Sequence, residues 1–151
     1  TKTMATTTAS LTITSADLVG DALSLSSSKV LHKAGTTVGL DQTTGMARLY
    51  LTATTQLDIF PVLPATPAGQ NLQSWVYICN KSTDETEFIT VSIAATTIGL
   101  LYAGDFMWMP WSQIAQKADI EIAPSSGAAA AGIIVDYTCI HQGITYPTSG
   151  D

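Results

Sequence analysis

Residues 80–111 read NKSTDETEFITVSIAATTIGLLYAGDFMWMPW. The run opens as a polar turn at residues 81–85. Ile89, Val91 and Ile93 then alternate with Thr90 and Ser92, the period of a strand with one buried face. Residues 98–102 make a short apolar strand, and Ala103-Gly104-Asp105 turns the chain into Phe106-Met107-Trp108-Met109-Pro110-Trp111. Side chains alternate across a strand, so Phe106, Trp108 and Pro110 share one face while Met107, Met109 and Trp111 share the other. Both faces are apolar. A sandwich of this chain covers only one of them, and another protein chain is expected on the other. Pro110 cannot donate to a ladder, which places the strand at a sheet edge or a strand end, where a neighbour docks. Met107, Trp108, Met109 and Trp111 are therefore the candidate oligomer or partner interface.

Outward from this stretch the grammar stays that of strands. Leu11 and Ile13 alternate with Thr12 and Thr14, and Leu23 and Leu25 alternate with serines. Residues 15–21 form a turn between them, and residues 36–45 form a loop. Strands follow at 48–53 and 57–62, then a Pro/Gly segment at 63–71. Residues 74–80 put Trp75, Tyr77 and Cys79 on one face and Val76 and Ile78 on the other, as a central strand covered on both sides. Trp75 and Tyr77 are expected in the core. The turn at 81–85 is expected to close a hairpin onto residues 87–93, and 98–102 to pair with 106–111 about Gly104-Asp105. Residues 119–124 alternate cleanly, and an alanine-rich turn leads into a last strand at 133–140.

Short strands with turn signals at this spacing, and no amphipathic helix, define an all-β chain. The expected organisation is an extended N-terminal arm at residues 1–8, a single antiparallel β-sandwich domain at 9–144 and a polar tail at 145–151. Strand count alone leaves a jelly roll and other Greek keys both open.

Composition narrows the function. Of 151 residues, 46% are hydrophobic and only 12% charged, about half the usual charged share of roughly 25%. Ser and Thr take the place of the missing charge, which suits surfaces that lie against neighbours. The net charge is −6, and the six cations, Lys2, Lys29, Lys33, Arg48, Lys81 and Lys117, are scattered. Nucleic-acid binding requires clustered Lys and Arg to displace counterions, so direct binding to DNA or RNA is not expected. Neither is an anionic membrane surface. No run approaches the roughly 20 apolar residues of a membrane span, and the N-terminal residues lack the apolar core of a signal peptide. Thr1 is the residue that removal of an initiator Met leaves, so the chain is expected to be made in a cytoplasm and kept or packaged there. Cys79 and Cys139 sit mid-strand among apolar residues, where Cys acts as a small hydrophobe, and no disulfide is expected.

The chemical motifs are thin. His32 and His141 are distant, neither has a ligand partner at metal spacing, and there is no Cys-x-x-Cys. Asp84, Glu85 and Glu87 lack the oxygen pattern and the glycine of a calcium loop and read as a solvated turn. Asp58, Asp119, Glu121 and Asp136 occupy polar alternating positions, which weighs against a glycosidase carboxylate pair. A nucleophile elbow and a phosphate-binding glycine loop are both missing. Asn80-Lys81-Ser82 matches a glycosylation site that means nothing without secretion. No enzyme activity, cofactor or metal is expected.

Ile98-Gly99-Leu100, Gly104-Asp105, Met109-Pro110-Trp111, Ala118-Asp119-Ile120 and Val135-Asp136-Tyr137 together resemble the strand grammar of small virion structural proteins of tailed bacteriophages, cyanophages among them. The resemblance covers about the C-terminal half. It implies a jelly-roll-like subunit that decorates or cements a capsid, commonly as a homotrimer, with the major capsid protein as partner and the capsid surface of the virion as its location. The arm residues Thr1, Lys2, Thr3 and Met4 are then the candidate capsid contacts, with the flat Thr/Ser faces. A competing reading is a carbohydrate-binding or receptor-binding module of a phage tail or head fibre, with Trp108 and Trp111 as sugar platforms. A hydrolase ranks third.

Overall fold

The structure, a computed structural model, describes residues 6–52, 56–60, 72–111, 119–125 and 132–142. The arm residues Thr1, Lys2, Thr3 and Met4, the Pro/Gly segment, the alanine-rich turn and the polar tail lie outside the described residues.

Eleven strands are described: β1 (Thr8–Ser15), β2 (Leu23–Val30), β3 (Gln42–Thr43), β4 (Ala47–Leu51), β5 (Leu57–Phe60), β6 (Ser74–Asn80), β7 (Phe88–Ile93), β8 (Thr96–Tyr102), β9 (Phe106–Trp111), β10 (Ile120–Pro124) and β11 (Ile133–His141). They form three antiparallel sheets. β1 and β2 make a two-stranded ribbon, β5-β10-β7-β8 a four-stranded sheet, and β3-β11-β6-β9 a second sheet in which β4 also pairs with β11. The all-β expectation holds; the strand order by itself does not establish a jelly roll.

The two larger sheets share one core. Val76, Ile78, Trp111, Ile133, Val135, Cys139 and Leu51 come from one sheet, and Phe60, Ile89, Val91, Leu101, Ile120 and Ile122 from the other. Branched aliphatic residues dominate because their restricted side chains pack well on a pleated surface. Phe60 meets the Trp111 ring at 5.9 Å and the Tyr137 ring edge-on at 5.7 Å, closing the end of this core.

Two expected hairpins are not hairpins. β6 belongs to one sheet and β7 to the other, so residues 81–87 arch between layers instead of folding the chain back on its neighbour. The same holds for β8 and β9 about Gly104-Asp105. The two arches are fastened to each other at Asn80, whose side chain is fully buried. Its Nδ2 donates to the Leu101 carbonyl at 2.9 Å and its Oδ1 accepts from the Ser82 amide at 2.8 Å. Its main chain accepts from the Gly104 amide and donates to the Asp105 carbonyl. Gly104 has φ +79°, a conformation that glycine adopts without penalty.

The true hairpin of this stretch joins β7 to β8. Ile93 pairs with Thr96 across a two-residue turn, Ala94-Ala95, with φ of 51° and 65°. Positive φ at both central positions is the type I′ pattern that suits strand twist, normally built from Asn-Gly. The alanines hid it. Further along the same pair, the register slips between Val91 and Ser92, leaving Ile98 unpaired and exposed.

Cys79 and Cys139 are both buried and free. Cys139 pairs with Val76 while Cys79 pairs with Asp136, so the two thiols lie on opposite faces of their sheet. Burial pushes the Cys139 thiol up to about 11.

Candidate functional site

The register of β6 against β9 decides which side chains reach the surface. Val76 pairs with Met109, Ile78 with Met107 and Ser74 with Trp111, and this is the core side. Trp111 is buried, and Met107 and Met109 pack half-buried against the core. The buried Ser74 hydroxyl donates to the Trp111 carbonyl at 2.6 Å, pinning that end of the pair. The opposite face carries Trp75 beside Pro110, Tyr77 beside Trp108 and Cys79 beside Phe106. Of the four candidate interface residues, only Trp108 therefore lies on the outer face. Trp75 and Tyr77, expected in the core, also stand on that face and are half-buried. Their strand alternates as read, but the aliphatic side, not the aromatic side, is the one turned inward.

The outer face is an aromatic surface. The Trp75 and Trp108 rings stack at 5.2 Å with 12° between their planes, and Tyr77 lies 6.4 Å from Phe106. Phe106 is 58% exposed. Loss of water around Tyr77, with the Cys79 thiol beside it, pushes its phenol up to about 12. Among the described residues β9 pairs only with β6, so the strand with Pro110 is an edge, as its proline implied. On the far side of the same face, Arg48 of β4 grips Asp136 of β11 with Nε at 2.7 Å and Nη2 at 3.0 Å. These residues are direct cross-strand partners. The guanidinium holds the Asp136 carboxyl below the usual carboxylate range.

Over one end of this surface stands the ribbon. Its base is anchored by the Leu31 amide on the Thr7 carbonyl (2.8 Å) and the Leu40 amide on the Leu31 carbonyl (3.0 Å). Leu31 and Leu40 are buried, and Lys33 pairs with Asp41 at 3.0 Å. Gln142 Oε1 accepts from both the Ala34 and Gln73 amides, tying this base to the sheet. Between ribbon and sheet lies a cleft of about 540 Å³ walled by Ala9, Leu11 and Lys29 on one side and Trp75, Phe106 and Trp108 on the other.

The ribbon itself has two unlike faces. Pairing of Ala9 with Lys29, Leu11 with Ser27, Ile13 with Leu25 and Ser15 with Leu23 makes an apolar stripe. Thr8, Ser10, Thr12, Thr14, Ser24, Ser26 and Ser28 occupy the other face, almost wholly hydroxyl. Leu11, Ile13, Leu23 and Leu25 are each 42–43% exposed, and Val19 at the tip is fully exposed. A lone two-stranded ribbon is marginally stable in water. The signal for this feature was visible as alternation at residues 11–14 and 23–26; what sequence could not show is that the chain's own core leaves the stripe uncovered.

No protein-family model, no curated protein and no solved structure matches the chain. The ribbon and the aromatic face beside it are accordingly the site on which a functional reading rests.

Proposed function

We propose that the chain is a non-enzymatic structural subunit of a tailed-phage virion, a decoration or cement protein that self-associates and binds the head shell. The observation that carries this reading is the ribbon β1–β2, with an apolar stripe and a hydroxyl face on opposite sides. An apolar stripe left in water calls for a protein neighbour. A flat hydroxyl face offers many short hydrogen-bonding groups to a second, polar partner, here the major capsid protein. Low charge and a sandwich core with edge strands suit repeated contacts between subunits. The jelly-roll expectation belongs to the same proposal, since it comes from the resemblance to virion proteins.

The test is light scattering on the full chain at about 10 µM, followed by co-sedimentation with tailed-phage heads stripped of their decoration protein. A multimer that pellets with the heads supports the reading. A monomer that stays in the supernatant overturns it.

The cleft beside Trp108 favours a second reading, a glycan- or receptor-binding module. There, Trp108→Ala would abolish glycan-array binding while folding and self-association persist. Failure of the wild-type chain to bind any glycan removes this alternative.

A further inference from the structure

We infer that the ribbon's apolar stripe is covered by the ribbon of a second copy of this chain, running antiparallel about a two-fold axis, with each tip seated in the other copy's aromatic cleft. This rests on the self-association proposed above and names its surface. The three-fold symmetry expected from the resemblance gives way to a dyad at this contact.

The argument is one of register. Ile13 and Leu25 pair at the middle of the stripe. Ala9 and Lys29 lie four residues toward the base from that pair (13 − 9 and 29 − 25). Asp17 and Asp21 stand in the tip turn just beyond the last pair, Ser15 with Leu23, where the Asp17 carboxylate accepts from the Ser15 hydroxyl at 2.9 Å. Place a two-fold axis between two ribbons, across their width and level with Ile13. Each β1 then lies over the partner's β1, and each β2 over the partner's β2. Ile13 meets the partner's Ile13, and Leu25 meets the partner's Leu25. Leu11 faces the partner's Ser15, and Leu23 faces the partner's Ser27, so large residues oppose small ones, which lets two sheet faces interdigitate. The turn that carries Asp17 and Asp21 falls at the level of the partner's Lys29, so the acidic tip meets the basic base.

The same rotation carries the tip turn, with its exposed apolar residues Leu18 and Val19, down to the base of the partner's ribbon beside Ala9 and Lys29. That is the wall of the cleft, whose far side is the stacked Trp75–Trp108 pair. Its volume of about 540 Å³ has room for both side chains. A parallel arrangement around a three-fold axis would instead crowd Asp17 and Asp21 of every copy together and set each Lys29 against another. Charge pattern, size alternation and the cleft's position all select the dyad, and a closed isologous contact is the commonest way for identical chains to associate.

Cysteine cross-linking of the full chain reads the register directly, because both native thiols are buried. With a short bis-maleimide cross-linker, which spans the roughly 10 Å between stacked sheet faces that a disulfide cannot, Ile13→Cys is expected to give a covalent dimer, while Thr12→Cys, on the hydroxyl face, stays monomeric on a denaturing gel. Charge exchange reads the second feature. Lys29→Glu and Asp21→Lys should each raise the dimer dissociation constant by about tenfold, two surface ion pairs turning repulsive per dimer, and the double variant should return close to wild type. A wild-type chain that self-associates with neither Ile13→Cys cross-linking nor charge-exchange rescue overturns the ribbon dyad and leaves the proposed self-association standing. A wild-type monomer at about 10 µM overturns both.

Discussion

At the scale of single residues, two polar side chains carry more of the architecture than their number suggests. Asn80 is buried at the point where two arches cross between the sheets, and its side-chain amide bonds the Leu101 carbonyl on one arch and the Ser82 amide on the other. Asn80→Ala leaves the buried Leu101 carbonyl without this partner and the partly buried Ser82 amide to water, at about 1–3 kcal/mol for the first and less for the second. The expected loss is about 2–4 kcal/mol in guanidinium unfolding, and a loss under about 1 kcal/mol would mean that water replaces the amide. Asp136 acts on the outer face. Its pKa is lowered first by the Arg48 hydrogen bonds, so the sign of its pH effect is fixed. A carboxyl with a folded pKa below its unfolded value stabilises the protein fully above the unfolded value, near 3.8, and this is lost as pH falls through the folded one. Wild type should therefore lose stability relative to Asp136→Asn as pH falls from about 5 into the acid range below the unfolded value. Parallel curves for the two proteins across that window would show that the pair contributes nothing.

At the scale of elements, the strands were legible and their partners were not. Alternation fixed the inward face of β7 and the period of β10, and Pro110 marked β9 as an edge, because period and ring chemistry are local properties. Alternation also grouped the β9 residues by face without saying that Met107, Met109 and Trp111 are the inward group. Whether a polar turn closes a hairpin or arches between layers depends on which sheet the next strand joins. That is settled by core packing across the whole chain, so residues 81–87 and Gly104-Asp105 looked like hairpin turns and are arches. Aromatic bulk misled in the same way: alternation put Trp75 and Tyr77 together but could not say that Val76 and Ile78 were the inward pair. The Ala94-Ala95 turn was invisible because its residues contradict its conformation. Two alanines at positive φ each cost about 1 kcal/mol relative to a residue at home there. The double substitution Ala94→Asn with Ala95→Gly should recover about 1 kcal/mol and raise the melting temperature by about 2–4 °C. An unchanged or lower melting temperature would show that the Ala94 amide, which donates to the Asp119 carbonyl at 3.1 Å, already holds the turn against that strain.

At the scale of the whole molecule, the division of labour between the two faces of the ribbon can be separated by mutation. The apolar stripe and the hydroxyl face alternate residue by residue, so a change on one leaves the other's side chains in place. Ile13→Asp buries a charge at the centre of the stripe if another subunit covers it, and should shift the full chain to monomer at about 10 µM while leaving the melting of the sandwich core unchanged. The core lies elsewhere, between the two larger sheets. Thr12→Lys with Ser26→Lys alters directly paired positions on the hydroxyl face. That variant should keep its oligomeric mass and lose affinity for heads, by about tenfold or more if both hydroxyls sit against the shell. The two variants thus fail different assays, which a single undivided binding surface cannot reproduce. Should Ile13→Asp still self-associate and Thr12→Lys with Ser26→Lys still bind heads, the ribbon has no part in either contact. The assembly surface would then have to be sought at the exposed edge of β9, where Phe106 remains open to solvent.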